Sequence, residues 1–210
     1  MSLGQQWMNQ QLRTSGSIAD VYEETATWES SSEVDDSQLF DIAGGVRLWK
    51  NLAFGAGFTR TSDTHTADFD ALIPDTLEFD SPHADTRTIE GLEREETIIH
   101  LSAIWMVPIT GRIDIALSGG PSFFNVTQDY VAGMTVTPGE STIADVTTSS
   151  FKRSVTGFHI AADGTVRVIR NAGVGFLIRY ATAKLDTPEL LGGTIDVGGF
   201  QGLAGVRIRF

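Results

Sequence analysis

The chain contains no cysteine, which excludes disulfides, thiolate metal sites and a cysteine nucleophile. It has no run of the ~18 or more apolar residues that a membrane-spanning helix needs. That absence leaves a membrane β-barrel open, because each strand of a barrel carries only a weak apolar signal. Proline is scarce, with 6 residues against 22 glycines, a balance that suits a strand-rich protein better than a disordered one. Basic residues are also few: 15 Lys and Arg against 27 Asp and Glu leave a net charge of -12. With that balance no basic patch is expected to meet phosphates, and nucleic acid is not an expected partner. No GxSxG, HExxH or phosphate-loop motif occurs. The opening MSLGQQWMNQ lacks the basic region and apolar core of an export leader. An exported chain is therefore expected here in processed form; otherwise the protein is not exported.

What is present is alternation. In DVGGFQGLAGVRIRF, residues 196–210, Phe200, Gly202, Ala204, Val206, Ile208 and Phe210 share one face. Gln201, Leu203, Gly205, Arg207 and Arg209 share the other. Period two describes a β-strand between two different surroundings. The same pattern recurs in LFDIAGGVRLW (39–49), LAFGAGFTRT (52–61), TIIHLSAIWMV (97–107), RIDIALSGGPSFFNV (112–126), RSVTGFHIAADGTVRV (153–168) and GVGFLIRYATAKL (173–185). Pro121 on a paired strand suggests a bulge. Residues 3–13, LGQQWMNQQLR, read as a first strand, chiefly because the last strand needs a partner. The whole chain, 1–210, is then a single domain.

The connections alternate in length. Short ones fall near Lys50, Gly111 and Asn171; long polar ones cover 14–38, 62–96, 127–152 and 186–195. One end is trimmed and the other elaborated, as in outer-membrane barrels with short periplasmic turns and long external loops. A soluble barrel with its apolar face inward also alternates, but loop asymmetry, a terminal Phe and a Gly-rich polar face favour the membrane. The expected fold is all-β: an eight-stranded antiparallel up-and-down transmembrane β-barrel.

Of the 27 acidic residues only Asp41, Asp114 and Asp163 lie inside these strands away from loop ends. All three fall on the Gly/Ser/Arg face, together with Arg47, Arg167, Arg179, Arg207, Arg209, His100 and His159. Charges in a narrow lumen must be few and paired. These ten residues are the expected lumenal ion-pair network, with Asp163 opposite Arg179 and Asp114 near Arg167. Trp49, Trp105 and Phe210 sit near the short-turn end, where an interfacial aromatic girdle belongs. The His residues read as structural hydrogen-bonding groups. No catalytic, cofactor or metal residues are assigned.

The series LFDIAGGVRLWKNLAFGAGF, REETIIHLSAIWMVP, GGPSFFNV and GLAGVRIRF resembles the bacterial outer-membrane β-barrel domain family, small barrels similar to the OmpA transmembrane domain, OmpX and OmpW. The resemblance covers about residues 38–210. It implies eight antiparallel strands, both termini periplasmic, and insertion by the barrel-assembly machinery that reads the final strand. The Gln-rich N-terminal run departs from the family pattern.

The expected role follows: a monomeric structural or surface-interaction barrel of the bacterial outer membrane, its lumen plugged by paired side chains. Its expected partners are outer-membrane lipid and lipopolysaccharide, with divalent cations bridging to the acidic loops. Two other readings are a narrow OmpW-like conduit for small or hydrophobic solutes and a lipid-modifying enzyme. An eight-stranded interior, barely wide enough for side chains, favours the first.

Overall fold

The computed structural model describes every residue except Asn9, Asp35, Thr110, Gly192 and Phe210, and only the backbone of Pro108 and Glu189. It is an antiparallel sheet of ten strands: β1 (Ser2–Trp7), β2 (Gln10–Val21), β3 (Glu24–Val34), β4 (Ser37–Trp49), β5 (Leu52–Ile73), β6 (His83–Pro108), β7 (Ile113–Val136), β8 (Ile143–Arg167), β9 (Ala172–Asp186) and β10 (Thr194–Ile208). Among the described residues there is no α-helix, only a 3-10 turn at Glu189–Leu191. The sheet closes into a ring through eight strands. β1 pairs with both β10 and β4, and β5 pairs with both β4 and β6.

The sheet holds ten strands where eight were expected, although the ring passes through eight, and the strictly up-and-down order gains an insertion. The expected first strand 3–13 is divided between β1 and β2. β2 and β3 form a hairpin that takes no part in the ring closure: β3 pairs edge to edge with the upper part of β5, above the β4 pairing, with Thr27 opposite Leu72 and Ser32 opposite Ala67. The expected long loops are also mostly strand. β5 continues to Ile73, β6 starts at His83, β7 reaches Val136 and β8 starts at Ile143.

The physical reason is visible along β5, which alternates without a break over its whole length. In its first half Leu52, Phe54 and Phe58 point outward, while Gly55 and Thr59 point inward. In its second half the parity holds but the chemistry inverts. Ala67, Phe69, Ala71 and Ile73 are inside and buried, and Asp68 and Asp70 are outside. The inversion falls at Arg60, which is paired with Glu95 at 2.7 Å on the outer surface. A polar outer face reads as loop when apolar-out strands are sought, although its period is the same.

Below that line the outer surface is a belt of exposed apolar side chains. Ile99 and Trp105 on β6, Ile115, Leu117 and Phe123 on β7, and Phe158 and Ile160 on β8 are all exposed. So are Phe176 and Ile178 on β9 and Val206 and Ile208 on β10. The belt residues are the apolar sets expected from the alternation, and they face out. Above the line the extended strands enclose an apolar core of Trp28, Phe69, Ile73, Leu92, Val131, Met134 and Ile143, with Trp28 stacked on Phe69 at 5.6 Å. A second buried cluster, including Leu12, Ile98, Phe124, Val126, Phe151, Leu185 and Val197, fills the interior beneath it.

Pro121 makes no bulge. The β6–β7 register is the same on both sides of it, His100 opposite Ser122 and Ala103 opposite Gly119, and only the intervening ladder pairs are missing. Proline removes a donor without inserting a residue. Glycine is required at Gly198, whose φ is +92° and where a Cβ would lie 2.3 Å from the Ala181 carbonyl oxygen. Gly198→Ala is expected to cost about 1–3 kcal/mol, read as a lower urea midpoint with an unchanged slope.

Candidate functional site

The inward residues of the ring carry the polar chemistry, and β-strand parity places them there. Arg179 on β9 is their centre. Its Nη2 donates to Asp41 Oδ2 on β4 at 2.7 Å. Its Nη1 donates to Thr59 Oγ1 at 2.7 Å, His100 Nε2 at 2.9 Å and Gln201 Oε1 at 3.3 Å. Thr59 in turn donates to Asp41 Oδ2 at 2.8 Å. Arg179 and Asp41 are buried, where an ion pair needs this many extra hydrogen bonds to offset desolvation.

The network continues upward. Gln201 donates to Gln6 Oε1 at 2.8 Å, and Gln6 donates to Glu96 Oε2 at 3.3 Å and to the Gly198 carbonyl at 3.0 Å. Glu96 accepts from Arg94 Nε at 3.1 Å, and Arg94 Nη1 donates to Gln128 Oε1 at 3.0 Å. Gln128 reaches His65 Nε2 at 3.2 Å. His65 lies above the belt, and its pKa is lowered chiefly by burial, with Arg94 acting in the same direction and Asp63 and Asp129 opposing. Sequence reasoning missed Gln6, Arg94, Glu96, Gln128 and Gln201. Arg94 and Glu96 have the same parity as His100, and carrying the alternation back through 94 would have found them.

Toward the short turns the pairs become more open. Asp114 lies 3.2 Å from Arg167 and 3.4 Å from Arg209. The expected pair of Asp163 with Arg179 is not formed. The β8–β9 register sets Ala161 opposite Arg179 and Leu177 opposite Asp163. Asp163 instead accepts from Arg207 Nε at 2.9 Å. Arg207 reaches it by lying over Gly175, where a Cβ would come within 2.8 Å of the Arg207 chain. Arg207 Nη1 also donates to Ser2 at 2.7 Å, and Thr165 donates to Asp163 at 2.9 Å. Arg47 joins no ion pair among the described residues. It is exposed at the open end, and its Nη2 lies 3.6 Å from Met106 Sδ.

His100 and His159 belong to one chain of contacts. Arg179 can only donate, so His100 Nε2 accepts and the single ring proton sits on Nδ1. His100 Nδ1 therefore donates to Ser122 Oγ at 2.8 Å. Ser122 Oγ also lies 2.8 Å from His159 Nδ1, and His159 Nε2 lies 3.0 Å from Ser102 Oγ. The rings stand edge to face, with centroids 4.7 Å apart. Ser102 thus ends a chain of contacts that begins at the buried Arg179 guanidinium.

Ser102 faces a cavity of about 650 Å³ that occupies the ring interior toward the short turns. His100, His159, Arg179 and Asp41 form its floor. Small or apolar residues, among them Ala43, Gly45, Gly57, Ile104, Ala161 and Leu177, form its walls. Arg167, Arg170, Arg207 and Arg209, with Asp114 and Asp163, line its mouth.

Trp49 and Trp105 are exposed at the short-turn end, at 71% and 55%. Phe210 lies outside the described residues. A second group, not expected from the sequence, lies at the opposite edge of the belt on the adjacent strands β1, β10 and β9. Trp7 covers Gly202, where a Cβ would meet its ring at 2.6 Å, and Tyr180 and Phe200 stand 6.2 Å apart. Among the described residues no group of three or more His, Asp or Glu is arranged to hold a metal ion. No protein-family model matches the chain, and no characterised protein is significantly similar to it.

Proposed function

We propose that this chain is an integral outer-membrane β-barrel protein with a structural or surface-interaction role, whose lumen is plugged by paired polar side chains. The observation that carries the reading is the inversion of polarity along β5 at Arg60. An apolar outer face over a polar inner one suits hydrocarbon outside, and the reverse suits water outside. In this reading the belt lies in the outer membrane and the short turns face the periplasm. The β2–β3 hairpin and the upper halves of β5 to β8 stand outside the cell. Their outward carboxylates, such as Asp68 and Asp70, would meet lipopolysaccharide phosphates through bridging divalent cations. The barrel acts as a monomer and is inserted by the barrel-assembly machinery.

Two features support a plugged lumen over a conduit. The buried Asp41–Arg179 pair is tied by hydrogen bonds to Thr59, His100 and Gln201, and an apolar cluster containing Phe124 and Leu185 lies above it.

The test is gel mobility after refolding into detergent. An unboiled sample is expected to resist SDS and migrate apart from the boiled one. A monodisperse protein without detergent that shows no such shift would overturn the reading. In planar bilayers no steady current is expected; sustained open-state conductance would replace the plug by the narrow-conduit alternative. A mass change in added lipopolysaccharide would support the lipid-modifying enzyme instead.

A further inference from the structure

The cavity between the Ser102 floor and the arginine mouth has a definite electrostatic sense. Four guanidinium groups, Arg167, Arg170, Arg207 and Arg209, line its mouth against two carboxylates, Asp114 and Asp163. Asp114 is taken by Arg167 and Arg209, and Asp163 by Arg207. Arg170 has no carboxylate partner among the described residues. At the floor, Arg179 is neutralised by Asp41, and the Ser102 hydroxyl lines the cavity beside His159. The mouth therefore offers guanidinium donors, with two more positive charges than its two carboxylates balance, and the floor offers a hydroxyl.

The wall between them is of different character. Ala43, Gly45, Gly55, Gly57, Ala116 and Ala161 are too small to fill the ring at this level. They leave a space in the size range that takes small ligands. Ile104 and Leu177 add apolar surface. A free inorganic anion would find donors here but leave the apolar wall unused. A neutral hydrocarbon would leave the arginines unused.

We propose that this cavity binds a small amphiphilic anion entering from the short-turn end. Its carboxylate or phosphate head rests on Arg170 and the neighbouring guanidiniums, and its short apolar body lies against the alanine and glycine wall. A polar tip on that body would hydrogen-bond to the Ser102 hydroxyl. Guanidinium and oxyanion form charge-assisted hydrogen bonds well suited to such a head. The site is separate from the acidic outer surface at the opposite end of the molecule.

The test uses the full chain refolded in zwitterionic detergent, with titration calorimetry and hexanoate as probe. Hexylamine, hexanol and inorganic phosphate serve as comparisons. Hexanoate is expected to bind saturably and to weaken with added salt. The three comparison compounds should bind at least about tenfold more weakly. Arg170→Gln, at an exposed position, should raise the hexanoate Kd about tenfold. Ala161→Phe, which fills the cavity, should abolish binding while the heat-dependent gel shift persists. If Ala161→Phe fails to refold, Ser118→Leu fills the same space from β7. Hexanoate uptake that is unchanged in Arg170→Gln and the filled variant would overturn the proposal, since it would mean adsorption to the belt or to detergent. Phosphate binding as tightly as hexanoate would overturn it too, since the apolar wall would then contribute nothing.

Discussion

Replacing Arg179 by Leu is expected to destabilise the protein by about 3–5 kcal/mol, the cost of leaving a buried carboxylate without its partner. The loss is large because Arg179 serves four groups at once: Asp41, Thr59, His100 and Gln201. Asp41 is 3% exposed, so water cannot replace the guanidinium. Asp41→Asn alone should cost less, because Thr59 and Arg179 can still donate to the amide oxygen, although Arg179 keeps an uncompensated charge. The double variant should be more stable than the sum of the two losses predicts. The difference, read from urea unfolding in lipid vesicles as a double-mutant cycle, is the coupling of the pair. Additive losses would show that the two residues act independently and that the layer is not held by their contact.

Phe176→Arg is the second large effect, and it separates a lipid-facing belt from an aqueous one. Phe176 is 54% exposed near the middle of the outward run on β9, between Val174 and Ile178. If hydrocarbon surrounds the belt, an arginine there should cost about 2–4 kcal/mol and sharply reduce the refolded yield in vesicles. If water surrounds it, the same change should be neutral or improve solubility. Asp70→Arg is the control. Asp70 is equally outward but lies beyond the polarity inversion, so it should change stability by less than about 0.5 kcal/mol. Equal effects at the two positions would sink the membrane reading.

Much of the ring was legible because period two survives in single sequences. Ile42, Val46, Phe158, Ile160, Phe176 and Ile178 are outward as their alternation dictates, and Asp41, His100, His159 and Arg179 are inward. The upper halves of β5 to β8 were not legible as strands. Along upper β5 the outward residues are mostly Thr and Asp and the inward ones Ala, Phe and Ile, the reverse of the belt, while on upper β6 and β7 buried Arg94, Glu96 and Gln128 are mixed with apolar neighbours, so no single polarity marks these strands. The β2–β3 hairpin was hidden for the same reason, since Thr25, Thr27, Glu29 and Ser31 alternate with buried Ala26, Trp28 and Ser30. The Asp163–Arg179 expectation failed on register. Hairpin pairing judged from turn length placed the two residues level, and the ladder sets them two residues apart along the strand. Gln6 and Gln201 carry no charge, so a search for ion pairs passed over the amides that link one arginine layer to the next.

The six residues of β1 have a kinetic meaning. On one side β1 meets β4, with Ser2 opposite Asp41, and on the other it meets β10, with Ser2 opposite Gly205. The first contact reaches across the β2–β3 hairpin; the second spans almost the whole described chain. Loop-closure entropy makes contacts of such long separation late and slow to form. The ring therefore cannot seal until the final strand has been made and delivered. Until then β1 can only wait on the edge of β4 with half of its backbone donors unsatisfied. An incomplete chain would keep that edge open to other strands, which makes the seam between the two ends the step at which assembly is committed or lost.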